Sequence, residues 1–273
     1  MLISIITPTF NDFRFLEENI KSLLKQTYKF YEHIVIDGGS TDGTLELLKS
    51  YPHIKWISER DKGMYDAINK GIKMASGDII AYLNADDRYF DYSLETVCGT
   101  FKQYNDVDFV YGYCTYIDEK NRPICTFRTI PFNDSIISRS RITWAQPSCF
   151  WRSSIHKKIG LFDASMKNAG DSDFFHRLIL QGAKAKVVKK PLSKFMVRED
   201  CITKKLADNI KRERMLIHEK YSINKRRWRY ALGEVVYYLA NIDSYFFYVK
   251  NKYRSNKGIR SFLSKLALQK RCI

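Results

Sequence analysis

The chain has 273 residues, 45% of them hydrophobic and 28% charged, with a formal net charge of +16. That length buries a substantial core, and the composition excludes both a disordered chain and a multi-span membrane protein. No stretch approaches the roughly 20 consecutive apolar residues needed to span a bilayer.

Residues 2–7 (Leu-Ile-Ser-Ile-Ile-Thr) read as a first strand that Pro8 ends, and "MLISIITPTF" has neither a charged leader nor a small-residue cleavage site. "NDFRFLEENIKSLLKQT" puts Phe15, Leu16, Ile20, Leu23 and Leu24 on one helical stripe, with Asn11 or Asp12 as N-cap. "HIVIDGG" is a second short apolar strand. "STDGTLELLKSY" follows as a helix capped from Ser40 to Asp42, with Leu45, Leu47 and Leu48 inward. "IKWIS" is a third strand, "GMYDAINKGIKMAS" a third helix ending at Ser76-Gly77, and "DIIAYL" a fourth strand. Short buried strands alternating with helices predict βαβ units and a parallel sheet. Downstream, "YSLETVCGTFKQY" reads as a helix and "VDFVYGYCTYID" as an edge strand leading into a hairpin. Residues 127–148 show no clear period. "SDFFHRLILQGAKAKVVKKPLSKF" reads as a helix, a break at Gly182 and a short strand.

In an open parallel sheet, ligands bind where loops leave the carboxyl ends of the strands. Four such loops share one rim: Thr7-Pro8-Thr9, Asp37-Gly38-Gly39, Ser58-Glu59-Arg60 and Asn84-Ala85-Asp86-Asp87. The last closes the apolar run Ile79 to Leu83 with an amide and two adjacent carboxylates, which taken alone is a turn signal. If residues 83–87 continue extended, Asn84 and Asp86 project to one side, Ala85 and Asp87 to the other. A hard divalent cation takes oxygen ligands and keeps substrate phosphates in its shell, so one or two carboxylates at a strand end suit an ion delivered with a nucleotide diphosphate.

"SIITPTFND", "VIDGGSTDGT", "KGMYDAINKGIKMASGDIIAYLNADD" and "AGDSDFFHRL", in that order over about residues 1–200, together resemble the family 2 glycosyltransferases of the GT-A fold. Among these it resembles the enzymes of bacterial surface-polysaccharide synthesis, and that is the pathway the resemblance implies. The resemblance implies a Rossmann-like, mostly parallel sheet flanked by helices. It also implies a nucleotide-diphospho-sugar donor (UDP favoured), Mn2+ or Mg2+, and transfer to an acceptor hydroxyl with inversion. Carried over by position, Asp86 is the metal carboxylate, with Asp87 as a second or alternative ligand, and Asn84 stands where the family usually has an Asp. Thr7, Pro8 and Thr9 pack against the nucleotide, and Asp37 lies near the base. Arg60 and Lys62 meet the diphosphate, and Asp66 and Asn69 share a helical face that holds the nucleotide-sugar. Asp171 is the general base, positioned to take the acceptor proton, with Gly170 where the family often has Glu. Asp66 read on its own is equally a favourable charge at a helix start, and Asp171 or Ser172 an N-cap. Trp144, Gln146, Trp151 and Asp173 are the acceptor candidates, with core packing as the bland alternative for the tryptophans.

The predicted organisation is a catalytic domain over 1–203, nucleotide-sugar half to about 110 and acceptor half from 111, followed by a helical extension over 204–273. That extension holds 18 Lys+Arg against 5 Asp+Glu and so most of the excess charge. "KRRWRYALGEVVYYLANIDSYFFYVKNKYR" spaces Trp228, Leu232, Val235, Val236 and Leu239 helically among aromatics and cations, which suits a membrane interface, with a helix packed on the catalytic domain or an oligomer contact as the alternatives. The expectation is a cytoplasmic enzyme, peripheral at the inner face of the membrane, with a saccharide acceptor, polyprenyl-linked. The six cysteines show neither a CxxC pair nor zinc spacing, so reduced thiols are expected. Three other classes compete. A nucleic-acid-binding protein fits the net charge but lacks any helix-turn-helix, RRM or zinc pattern. A sugar-binding module without catalysis would keep ligand binding when Asp171 is removed and have no turnover to lose. A nucleotidyltransferase would carry a glycine-rich basic loop after strand one, which "TPTFNDFRF" is not.

Overall fold

The computed structural model describes residues 1–129, 144–198 and 207–221. The expected strands and helices of the first half are present. They are β1 (Ile3–Thr9), α1 (Phe13–Leu24), β2 (Tyr31–Asp37), α2 (Thr44–Lys49), β3 (Lys55–Ser58), α3 (Met64–Met74) and β4 (Ile79–Tyr82). After them come β5 (Arg88–Tyr89), α4 (Ser93–Gln103), β6 (Phe109–Ile117), β7 (Pro123–Phe127) and β8 (Cys149–Arg152). The described chain closes with α5 (His156–Ile159), α6 (Gly170–Leu180), β9 (Ala185–Met196) and α7 (Ala207–Lys220). One sheet runs β3-β2-β1-β4-β8-β6-β9-β5, with β7 also on β6. The pairs β1/β2, β2/β3, β1/β4 and β6/β9 are parallel, and β8 enters antiparallel between β4 and β6.

Three expectations change. β6 is not an edge: β8 and β7 pair one side of it and β9 the other, and its almost continuous burial reflects cover on both faces. The strand after Gly182 is not short but twelve residues long, the length of that partnership. Pro8 does not end β1 either, since it lies in register with Ile36. The neighbouring even position, Ile6, turns its carbonyl to Leu83 on the β4 side. By the same alternation Pro8 faces that side one step beyond the last β4 pair, where a missing N–H costs no ladder bond.

Aromatic packing under α3 and α6 forms the core on the site side. Trp151 is fully buried, donates Nε1–H to His156 Nε2 at 2.9 Å and lies 5.1 Å centroid to centroid from Phe174. Trp144 is also buried, 4.8 Å from the Tyr111 ring and 5.4 Å from Phe109. Both tryptophans are therefore core residues, and the acceptor reading of them is corrected. Four described cysteines (Cys98, Cys114, Cys125 and Cys149) are free thiols. Among the described residues no helix is long and apolar enough to cross a membrane. The basic aromatic segment expected to bind a membrane lies outside the described residues.

Candidate active site

The parallel register Thr9↔Asp37 and Asp37↔Ser58 sets the ends of β1, β2 and β3 side by side. Asp37 is buried and spends its carboxylate on the loop it begins. Oδ2 accepts from Gly39 N (3.1 Å), Ser40 N (3.0 Å) and Ser58 Oγ (2.6 Å), and Oδ1 accepts from Ser40 Oγ. It shapes the rim and ties β2 to β3. Thr7 is likewise inside, its Oγ1 2.9 Å from His33 Nε2, so its side chain does not face the rim. Thr9 Oγ1 is buried with no partner among the described residues. Phe10, which the sequence reading passed over, stands 59% exposed beside Gly38. Asp61 approaches the same glycine so closely that a Cβ there would lie 2.8 Å from its Oδ2.

Along the β3–α3 connection Arg60 and Lys62 are exposed. Asp66 accepts the Lys62 amide at 3.0 Å, the local capping role, and lies 3.9 Å from Lys70 Nζ. Asn69 does not face a ligand. Its Nδ2 donates to Phe162 O (2.8 Å) and its Oδ1 accepts Phe162 N (2.9 Å), a clasp between α3 and a loop 93 residues later. The cap of α1 is similarly remote: neither Asn11 nor Asp12 supplies a side-chain cap, and Asp42 Oδ2 accepts Phe13 N at 3.0 Å.

Residues 84–87 are a turn, not a continued strand: Asp87 N donates to Asn84 O at 2.9 Å. Asn19 from α1 fixes it by donating Nδ2–H to both Asn84 O and Asp87 O, each at 2.9 Å. The turn still divides its side chains as alternation predicted, with Asn84 and Asp86 partly accessible and Ala85 and Asp87 buried. Asp87 Oδ1 accepts Met196 N (3.0 Å), pinning the end of β9. Burial, and then the charge of Asp86, push its carboxyl well above the usual range. That makes Asp87 a frame residue and not a ligand facing solvent. Asp86 keeps 23% of its side chain exposed and lies 3.5 Å from Arg198 Nη1, which also pairs with Asp12 at 2.8 Å. Asn84 Oδ1 is buried without a partner among the described residues. A carboxylate oxygen and an orphan amide oxygen on one turn are the donor set a hard cation takes. Among the described residues no three His, Cys, Asp or Glu side chains converge as a complete metal cage.

Asp171 sits in the first turn of α6. Its Oδ1 accepts Ser172 N at 2.7 Å and lies 3.4 Å from Tyr65 Oη, which belongs to α3. Burial raises its proton affinity, countered by the Ser172 amide, the Arg214 charge and the Tyr65 hydroxyl. Tyr65 stacks on Phe162, and Phe162 meets Tyr82 at the end of β4 edge to face. Gln146 donates to Tyr82 O at 2.7 Å. The base candidate, the 84–87 turn and the 146 segment thus converge on the end of one strand. Gly170 has a local reason: a Cβ there would stand 2.8 Å from the Tyr65 ring. Asp173 points elsewhere. It is fully buried and holds Arg177 Nε (2.8 Å), Lys220 Nζ (3.0 Å) and Tyr221 Oη (2.7 Å). Those donors outweigh burial and hold its carboxyl below the usual range. Its acceptor role is withdrawn, because its oxygens are spent on α6 and α7.

The mixed α/β sheet flanked by helices is the fold of the GT-A glycosyltransferases. The sequence profile described as "Glycosyl transferase family 2" matches residues 4–158, and the chain belongs to that family. An uncharacterized glycosyltransferase of Rickettsia typhi is 31% identical over 187 residues, covering 65% of this chain and 58% of that protein. The Escherichia coli chondroitin synthase is 26% identical over 238 residues, 84% of this chain and 34% of the synthase. In structure the chain is similar to S. aureus TarS (residues 1–349) in complex with UDP-GlcNAc. The TM-score is 0.61 at 23% identity, over 74% of this chain and 60% of that one. It is also similar to the mannosyltransferase PcManGT of Pyrobaculum calidifontis in complex with GDP-Man and Mn2+. There the TM-score is 0.63 at 16% identity, over 98% and 79% of the two chains.

Proposed function

We propose that the protein is an inverting glycosyltransferase that moves a sugar from a nucleotide-diphospho-sugar, UDP-linked in the first instance, to an acceptor hydroxyl. The observation that carries this reading is that two unlike acidic groups are tied to the end of β4, Asp86 through the turn that follows it and Asp171 through Tyr65 and Phe162. Asp86 is accessible beside the orphan Asn84 oxygen, and Asp171 has its proton affinity raised by burial. The first suits a charged leaving group, the second a proton acceptor. Similarity to neighbours solved with UDP-GlcNAc, or with GDP-Man and Mn2+, supports a nucleotide-sugar and a divalent cation here.

Asp86 and Asn84 Oδ1 would hold Mn2+ or Mg2+. When bound, the ion neutralises the departing diphosphate as a Lewis acid. Exposed Arg60 and Lys62 line the approach of the diphosphate, and the Phe10 face offers an apolar platform for the base. Asp171 accepts the proton of the acceptor hydroxyl as that oxygen bonds to C1. The C1–O bond to the diphosphate breaks with its electron pair leaving on phosphate, a single displacement without a covalent enzyme intermediate. Holding both substrates in line supplies much of the remaining acceleration. The acceptor on this reading is a growing saccharide, polyprenyl-linked, reached at the inner face of the membrane through the basic extension. The likeness to chondroitin synthase supports the saccharide part of that acceptor.

Calorimetric titration of UDP-GlcNAc and GDP-mannose, with and without Mn2+, tests the donor half. Metal-dependent binding of one of them that Asp86→Ala abolishes is expected. If no nucleotide-sugar binds to the wild type under either condition, the reading fails.

A further inference from the structure

Helix α7 is the described part of the basic extension, and it lies against the helix that carries Asp171. Glu213 spends its carboxylate on three consecutive backbone amides: Lys167 N to Oε1 at 2.8 Å, and Asn168 N and Ala169 N to Oε2 at 2.9 and 2.8 Å. These amides lead directly into α6, where a helix leaves its N–H groups without intrahelical partners and a negative charge is favourable. Asp171 is the second residue of that helix. Two residues further on, Asp173 holds Lys220 and Tyr221 at the other end of α7. Ile210 and Ile217, two turns apart, are buried, and the Tyr221 ring lies parallel to His176 of α6. The turn bearing Asp171 is therefore gripped before and after by one helix.

We propose that α7 positions the catalytic carboxylate, with Glu213 as the positioning residue, so that the start of the extension belongs to the catalytic unit. This rests on Asp171 as the base. Glu213 touches no reacting atom; it fixes the path by which the chain enters α6, and with it the direction of the Asp171 carboxylate toward the end of β4. Misplacement of a catalytic group by about 1 Å can cost on the order of 100-fold.

The test uses the full chain and two variants, Glu213→Ala and Glu213→Gln. Hydrogen exchange of the 165–173 region is read alongside kcat and donor KM for hydrolysis of UDP-GlcNAc or GDP-mannose, whichever the titration selects. Glutamine keeps one acceptor oxygen, so protection and kcat should fall in the order wild type, Gln, Ala. The Ala variant should lose about 10- to 100-fold in kcat, with donor KM within about twofold and the acid limb of the pH profile unmoved. If Ala unfolds the chain, the Gln variant carries the comparison. Unchanged amide protection would overturn the clamp, and lost protection with unchanged kcat would overturn its catalytic role. Asp171→Asn is run in parallel. Full turnover there would remove the base, and this inference with it, whatever the exchange data show.

Discussion

Two short stretches, Asn84 to Asp87 and Asp171 to Asp173, each carry a pair of acidic groups, and each pair is split in the same way. One member is partly accessible (Asp86, Asp171), and the other is buried and holds the frame (Asp87, Asp173). The buried partners differ in how their charge is met. Asp173 has two cations and a phenol within 3.0 Å, and its carboxyl sits below the usual range. Asp87 has a backbone amide and a distant carboxamide for bonding, with Asp86 beside it, and its carboxyl is pushed well above. A buried carboxylate can thus serve as half of an ion-pair network or as a hydrogen-bonding group better off neutral. The two should respond very unequally to a neutral replacement.

The largest effect is expected at the accessible base. Asp171→Asn should lower turnover about 10²- to 10⁴-fold while nucleotide-sugar binding and melting temperature hold. Retained turnover would remove the base. Next is Asp173→Asn, which leaves Arg177 and Lys220 facing an amide. Loss of a buried charged partner costs roughly 2–4 kcal/mol once the half-exposed Lys220 is allowed for, readable as a drop in denaturation midpoint. Gly170→Glu drives a side chain toward the Tyr65 ring and should cost about 1–3 kcal/mol as overpacking, with turnover falling because Tyr65 shifts from Asp171. A variant of wild-type stability would show that Tyr65 does not dictate the glycine. Asp87→Asn is the smallest, below about 1 kcal/mol, because the amide still accepts the Met196 N–H.

The same contrast sets the pH behaviour. Asp171 binds its proton more tightly than an ordinary carboxyl, so kcat/KM should fall on the acid side with an apparent pKa above the usual carboxylate range. Asp173 is depressed, so its stabilisation is present above its unfolded pKa and is lost as pH falls through its folded one. Asp87 is raised, so its stabilisation is lost as pH climbs through its folded value. Activity should therefore vanish reversibly in mild acid before the α6–α7 contact breaks. Parallel pH titrations of rate and of melting temperature check this, and coincident loss of both would contradict it.

What the sequence disclosed follows the range of the interaction. The four-stranded start, the rim and the accessibility of Asn84 and Asp86 are written in local periods and turn chemistry. β6 looked like an edge because its partner β9 begins at Ala185, far down the chain. Asn69, three residues from Asp66, read as its companion, yet its amide belongs to Phe162. Asp173 read as a second acid beside Asp171, yet its donors come from Arg177 and from Lys220 and Tyr221 in the extension. Spacing identifies which carboxylates stand together; only tertiary partners decide which of them is spent. Gly170 is intermediate: its departure from the family's usual Glu is visible in the sequence, but the Tyr65 ring that explains it is not.

The most direct measurement compares Asp86→Asn, Asp87→Asn, Asp171→Asn and Asp173→Asn side by side, reading donor binding, turnover and denaturation midpoint for each. Function should be lost at Asp86 and Asp171 with wild-type stability. Stability should be lost at Asp173, and both should be nearly kept at Asp87. A loss of donor binding or turnover at Asp87 as deep as at Asp86, without loss of stability, would contradict the division between accessible and framing carboxylates.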